Sequence, residues 1–433
     1  MLELKKLKGH WKSAAKALEK RGMTEGEIEE YFHQLKNLDL RRRRNLQQAE
    51  EFRSEIKRLS KEVGMLFKTG KAKEDEGTEL ANEMREQVLH LKRKLSLKEA
   101  KLEKIEDELR ECLYNIPNLP HELVPAGDSE EDNYVYKDAS GSLPDLGDNA
   151  LPHWELAKKY KLFDFELGVK VTGSGFPVYT GKGAALQRAM ITYFLNKAME
   201  AGYREVIPPL LVNEDTARGT GQLPDKEGQM YHAEKDNFYL IPTAEVPITN
   251  LYRGDIIKET ELPIRMVGYT PCFRREAGSY GAHVKGLNRV HQFDKVEIVQ
   301  FARPENSYEQ LDEMLTHVEG LLKALKLPYR ILRLCGGDLG FTAALTYDFE
   351  VWSAAQERWL EVSSVSNFET YQSNRMMIRT RSKSEKPRLL HTLNGSALAL
   401  PRVMAALLEL YQDEKGIKVP EVLVPYTGFK RID

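Results

Sequence analysis

The sequence is short of what a disulfide-stapled, zinc-bound or membrane-spanning protein needs. Cysteine occurs three times in 433 residues, at Cys112, Cys272 and Cys335, with no CxxC pair and no histidine at ligand spacing. That argues against a disulfide framework, predicts no zinc site and points to a reducing compartment. No apolar run reaches the ~18 residues that span a bilayer. Met1–Gly22 is a charged amphipathic stretch, unlike a signal peptide. Net charge is also nearly missing, because 64 Lys+Arg oppose 66 Asp+Glu and leave −2. A uniformly basic coat for nucleic acid is thereby excluded, whereas a local basic patch is not. The expectation is a soluble cytoplasmic protein of two domains.

Proline is absent before Pro117, and that absence frames what is there. From Ile28 to Ile116 nearly every residue is a helix former. Leu35, Leu38, Ala49, Phe52, Ile56, Leu59, Val63 and Leu66 alternate by three and four once Arg42 and Asn45 fill the two gaps. A second series runs from Ala81 through Met84, Val88, Leu91, Leu95, Leu102, Ile105, Leu109 and Cys112 to Ile116, with Lys98 in its gap. Two such seams predict an antiparallel two-helix coiled coil over 28–116, turning at Lys68-Thr69-Gly70-Lys71. Folding about that tip sets Lys98 opposite Asn45, with Arg42 a turn away, as one polar layer that fixes register. Most charge on this arm balances and reads as a solvated face. Two basic clusters, Arg41-Arg42-Arg43-Arg44 and Lys92-Arg93-Lys94, form a band suited to a phosphate backbone.

After Ile116 a Pro/Gly/Ser/Asp-rich linker (117–152) leads into a mixed domain over 153–433. Helices are expected at Gly183–Ala201, Tyr308–Leu325 and Leu398–Lys415. Strands are expected at Phe238–Ile241, Met266–Phe273, Val296–Phe301, Tyr347–Trp352 and Glu361–Ser364. Helices segregated from such strands indicate an α+β fold with an antiparallel sheet. Thr180-Gly181-Lys182-Gly183 lacks the trailing Lys-Ser/Thr of a phosphate loop and reads as a helix entry. The chemistry rests instead on arginines and glutamates. Cys272-Phe273-Arg274-Arg275-Glu276 enters a loop containing Gly278, Gly281 and Gly286, and a second strand returns through Arg289, Val290, His291, Phe293, Lys295 and Glu297. Alternation places Arg289, His291, Phe293, Lys295 and Glu297 on one face, offering a cation, an aromatic plane and a carboxylate to a phosphate, a base and an ammonium group.

Phe273-Arg274-x-Glu276 followed by Arg289-Val-His-Gln-Phe293 resembles motif 2 of the class II aminoacyl-tRNA synthetases, in the form seen in the seryl-tRNA synthetase family. Gly202-Tyr203-x-Glu205-Val206-x-Pro208-Pro209 resembles motif 1. Gly219-Thr220-Gly221-Gln222-Leu223-Pro224 and Thr243-Ala244-Glu245-Val246-Pro247 resemble the family's serine-site loops. Glu361-Val362-Ser363-Ser364-x-Ser366-Asn367 and Thr392-Leu393-Asn394-Gly395-Ser396…Arg402 resemble its ATP strand and motif 3. Ala397 and Pro401 stand where glycines are usual, and Leu345 where lysine is common.

The resemblance implies a class II catalytic domain with an N-terminal helical tRNA-binding arm (1–116) and a homodimer formed through motif 1. It implies an ATP site of Arg274, Arg275, Glu276, Arg289, Val290, Phe293, Glu361, Val362, Ser363, Ser364 and Arg402, with Arg274 and Arg402 catalytic. Glu361 and Ser364 are then the Mg²⁺ ligands. Thr243, Ala244, Glu245, Arg274, Glu297, Asn394 and Ser396 are the serine site, and Arg41–Arg44 and Lys92–Lys94 the tRNA contacts. The implied partners are serine, ATP, tRNA(Ser) and, where present, tRNA(Sec). Two other readings stay open on the residues: an amino-acid-activating enzyme with another acceptor, and a coiled-coil interaction protein with an inactive domain.

Overall fold

The computed structural model describes residues 1–70, 75–139, 142–147, 150–276, 285–382 and 386–433. They form two compact units: Thr24–Ile116, and Met1–Met23 together with Pro117–Asp433.

The smaller unit is the helical hairpin, with α2 (Glu25–Lys68) and α3 (Asp75–Tyr114). Thr24 starts α2 with a capping box: its hydroxyl accepts from the Glu27 N–H, and Glu27 accepts from the Thr24 N–H. The heptad positions are buried or half-buried along both helices, as the seam demands. The polar layer differs from expectation. Arg42 pairs with Glu106 (4.0 Å) and Arg53 with Glu99 (2.7 Å), so Asn45, lying between these arginines, faces a segment between those glutamates. Lys98 lies beyond that segment, so the two do not meet. The predicted register assumed a tip at Lys71, which lies outside the described residues. The buried polar anchor is instead Asp39, which takes Arg42 at 3.3 Å and Arg43 at 3.0 Å.

α1 (Trp11–Glu19) belongs to the larger unit, although the sequence groups it with the arm. Leu18 is fully buried, and Arg21 donates to the carbonyls of Asn118 (2.7 Å) and Leu339 (2.8 Å). The expected linker is likewise built in, since the Asn118 side chain donates to the Phe368 carbonyl at 2.9 Å.

The frame is an eight-stranded sheet of β1 (Tyr134–Lys137), β2 (Arg204–Glu205), β3 (Ile264–Phe273), β4 (Gln292–Ala302), β5 (Tyr329–Arg333), β6 (Leu345–Ser353), β7 (Arg358–Asn367) and β8 (His391–Ala399). Its spatial order is β1-β5-β6-β7-β8-β4-β3-β2. All neighbours are antiparallel except the β2–β3 edge. One core joins this sheet to flanking helices through Met190, Phe194, Met314, Val318, Val403 and Met404 against Val296, Ile298, Phe349 and Val365. The helices that position the site are α4 (His153–Tyr160), α5 (Gly181–Glu200), α6 (Glu214–Thr220), α7 (Glu245–Asn250), α8 (Ser307–Ala324), α9 (Tyr371–Met376) and α10 (Leu400–Leu410). Pro401 sits in the first turn of α10, where its fixed φ suits helix entry, so this departure from glycine is accommodated.

Candidate active site

The two long central strands carry the arginine–aromatic pair. β3 and β4 pair from Phe273↔Gln292 inward, leaving Arg274 just past the strand end. Its guanidinium lies 5.2 Å over the Phe293 ring, and its Nε donates to the Pro242 carbonyl at 3.4 Å. Arg275 is turned toward the Tyr231 ring at 5.9 Å, and its N–H donates to the Gln229 carbonyl. Glu276 adopts φ +48° and takes the Arg289 guanidinium at 2.6 Å. Alternation does not extend to Arg289 and His291, because β4 begins only at Gln292 and Gly286–Asn288 forms a 3₁₀ turn. The His291 ring stacks on Phe176 instead. Glu276, Arg289, the buried Val290 and His291 line a cavity of about 280 Å³ together with Phe165. Gly278 and Gly281 lie outside the described residues.

Deeper in the sheet is a cluster of buried polar side chains. Glu297 is 1% exposed, accepts from Asn394 Nδ2 at 3.0 Å and Ser396 Oγ at 3.3 Å, and pairs with Lys295 at 2.8 Å. Spacing by two puts Asn394 and Ser396 on one face of β8, and Lys295 and Glu297 on one face of β4. Glu245 opens α7 beside them, its N–H donating to Thr243 Oγ1 at 3.3 Å, while Ala244 is wholly buried. Burial first, and the Glu297 charge second, push the Glu245 carboxyl up to about 7, against the opposing pull of Gln372, Lys295 and Arg274.

The third cluster depends on a bulge. Residues three apart on a regular strand face opposite sides, yet Glu361 and Ser364 share the more open face of β7. The reason is a register shift: Glu350 pairs with Glu361 and Phe349 with Ser363, leaving Val362 as the extra residue. Val362 is buried, and the Ser363 hydroxyl donates to the Ser396 carbonyl at 2.6 Å, so neither side chain is free for a ligand. Asp348 stands opposite Ser364, and its Oδ1 is shielded from solvent without a hydrogen-bond partner. Burial and the nearby Glu361 raise the Asp348 carboxyl well above its ordinary range. Carboxylate and hydroxyl oxygens with one orphaned acceptor fit a hard divalent cation. Arg402 reaches this cluster from α10: its Nη1 donates to the Glu361 carbonyl at 2.9 Å and its Nε to the Asn288 carbonyl at 3.0 Å.

Behind these residues lies a fully buried His153–Glu409 pair at 2.8 Å. The Leu287 N–H donates to His153 Nε2 at 2.9 Å, so Nε2 is an acceptor and Nδ1 carries the proton given to Glu409. Ser353 and Gln356 also donate to Glu409. Burial alone would raise the Glu409 carboxyl, but the hydrogen bonds from His153 and Ser353 hold it below its usual value. Gln356 in turn accepts from Asn288 at 2.8 Å, which ties the pair to the segment preceding Arg289.

Sequence reasoning missed Gln372, Asp348, Thr392 and the His153–Glu409 pair. Only Thr392 carried a usable signal, being two residues before Asn394 on the same strand. On the arm, Arg41 pairs with Glu108 at 3.1 Å, and Arg42 and Arg43 are drawn to Asp39, so three of the four clustered arginines serve the hairpin itself. Arg44, Lys92, Arg93 and Lys94 are exposed.

A family model described as the seryl-tRNA synthetase N-terminal domain matches residues 1–120, and one described as the tRNA synthetase class II core domain (G, H, P, S and T) matches 229–411. The serine–tRNA ligase of Salinibacter ruber is 48% identical over 100% of this chain and 99% of its own length. That of Chlorobaculum parvum is 48% identical over 91% of this chain and 92% of its own. The crystal structure of seryl-tRNA synthetase from Pyrococcus horikoshii complexed with ATP superposes with TM-score 0.88 at 33% identity, covering 100% of this chain and 99% of that one. The cytoplasmic enzyme of Naegleria fowleri in complex with AMP gives 0.82 at 26% identity, with 97% and 95% covered.

Proposed function

The chain belongs to the seryl-tRNA synthetase family, and from that premise we propose how its residues divide the work of a serine–tRNA ligase. Serine is activated by ATP to seryl-adenylate with loss of pyrophosphate, and the seryl group then passes to the 3′-terminal ribose of tRNA(Ser), and of tRNA(Sec) where present, with release of AMP. Neither step needs a side-chain nucleophile, because the serine carboxylate and then a ribose hydroxyl attack. Positioning and charge stabilisation carry the rate. Arg274 stabilises charge on the ATP α-phosphate, and Phe293, Glu276 and Val290 hold the adenine. Arg275, Arg289 and Arg402 neutralise the rest of the nucleotide, and Val362 and Ser363 contribute through their backbone.

The observation that carries the amino-acid assignment is the buried polar cluster at Glu297. A buried carboxylate flanked by an amide and a hydroxyl suits the serine hydroxyl, and Glu245 with Thr243 and Ala244 suits its ammonium. Glu361 and Ser364 would hold Mg²⁺, which when bound neutralises phosphate charge. Exposed Arg44, Lys92, Arg93 and Lys94 supply tRNA backbone contacts, with Arg41, Arg42 and Arg43 contributing once their own pairs are satisfied. A homodimer forms through Gly202–Pro209, a reading supported by Ile207, which is 88% exposed beside edge strand β2. The enzyme works in the cytoplasm; no helix among the described residues is long and apolar enough to cross a membrane. An acceptor other than tRNA is not favoured, since the N-terminal model matches across the whole arm. Serine-dependent ATP–pyrophosphate exchange followed by charging of tRNA tests the reading. Exchange without charging would return the other-acceptor alternative, and no serine-dependent exchange would refute the assignment.

A further inference from the structure

Gln372 lies in α9, 1% exposed, and touches three separate pieces of the molecule. Its Nε2 donates to Glu245 Oε1 at 2.6 Å and to the Thr220 carbonyl at 3.3 Å. Its Oε1 accepts from Thr392 Oγ1 at 2.8 Å. The orientation of this amide is forced, because a carbonyl oxygen can only accept, so the NH₂ must face Thr220 and Glu245. Thr392 then locks the other end. Three residues further along α9, Arg375 donates to the carbonyls of Arg218 (3.0 Å) and Leu223 (3.4 Å), so the same short helix holds the 218–223 loop at both sides.

We propose that Gln372 is a positioning residue of the amino-acid pocket, which aims the Glu245 carboxylate at the serine ammonium group and keeps it charged to receive it. The proposal deepens the serine-site reading and rests on it. The physical need is plain. Glu245 is faced by Glu297 and Lys295 of β4, by Arg274 beyond β3 and by Gln372 of α9. Lys295 is already committed to Glu297 at 2.8 Å. Gln372 is therefore the neutral donor left to compensate a second buried carboxylate placed beside the first. With the amide fixed by its second N–H on the Thr220 carbonyl and by the Thr392 hydroxyl on its oxygen, the single N–H bond to Glu245 also stops that head group from swinging toward Lys295. Without that donor Glu245 retains its proton to higher pH, and an incoming ammonium must first displace it.

The test is the apparent KM for serine in ATP–pyrophosphate exchange from pH 6 to 9, with the full chain and with Gln372→Met, Gln372→Glu and Thr392→Val. Gln372→Met keeps the volume and removes the donor. It should raise the serine KM at neutral pH about tenfold or more, as expected for losing a hydrogen bond to a charged group. It should also move the pH midpoint of that KM upward, while leaving the ATP KM and the alkaline-limit kcat near wild type. Gln372→Glu should shift the midpoint further. Thr392→Val, which frees the amide without removing it, should give the same shift to a smaller extent. A serine and ATP KM that rise together with an unmoved midpoint would make Gln372 a packing residue and overturn the proposal, as would no change. Should Gln372→Met fail to fold, the Thr392→Val midpoint decides alone. Absence of serine-dependent exchange in the wild type would instead fail the functional reading itself.

Discussion

Replacing Glu297 by Gln and by Ala separates recognition of the amino acid from stability of the pocket. Glu297 is buried, accepts from Asn394 and Ser396, and neutralises Lys295, itself 6% exposed. Gln keeps the shape and one acceptor but presents an NH₂ group to side chains arranged to donate. Losing one charge-assisted hydrogen bond to serine costs roughly 1.5–3 kcal/mol, an increase of about 10- to 150-fold in the serine KM. Ala removes the acceptors altogether and strands the Lys295 ammonium, a loss of about 3–5 kcal/mol in folding stability. Serine titrations of pyrophosphate exchange measure the first effect and urea unfolding the second. ATP affinity should hold for both variants, since none of the partners of Glu297 lies among the Arg274–Phe293 or Arg402–Glu361 contacts. An equal fall in ATP and serine affinity for Glu297→Gln would refute the placement of serine at this carboxylate.

Other outcomes follow from the same geometry. Changing Arg44, Lys92, Arg93 and Lys94 to Ser should weaken tRNA charging and flatten its salt dependence, the logarithmic slope falling by about one for each phosphate no longer neutralised. Pyrophosphate exchange should stay intact, and a loss of exchange as well would assign the cluster a structural role. His153→Ala removes a donor from a buried carboxylate and orphans the Leu287 N–H, which should cost about 3–5 kcal/mol in chemical denaturation. The Glu245 carboxyl, held near 7 in the fold against an ordinary 4.5, binds its proton more tightly folded than unfolded. Its contribution to stability should therefore fall as pH rises from about 4.5 to about 7, and Glu245→Gln should remove that part of the pH slope.

The arm was legible because a heptad seam is a local, repeated signal, and the long strands because alternation and turn residues bound them. The reacting arginines and glutamates were legible only as a motif; composition said nothing of them. What escaped depended on pairing across distance. Glu361 and Ser364 cannot be placed on one face without the Val362 bulge, which exists only relative to β6. Gln372 and Asp348 matter through partners more than a dozen positions away, and no local spacing marks them. The Lys98–Asn45 layer failed for a related reason, since hairpin register depends on tip geometry that heptads do not encode. The boundary at Met23 escaped because Arg21 donates to carbonyls hundreds of positions later, at Leu339 and Ala343.

Strand β8 presents Thr392, Asn394 and Ser396 at alternate positions, one to Gln372 and two to Glu297. A slip of one residue against β4 would turn all three away, leaving Glu297 without its two β8 donors and the Gln372 amide without the hydroxyl that locks it. Substrate choice and strand register thus draw on the same hydrogen bonds. Substitutions along this strand should be strongly epistatic: a second change after the first should cost far less, or far more, than it does alone. Drift of this pocket toward another amino acid therefore has to pass through coordinated replacements on β8, β4 and α9.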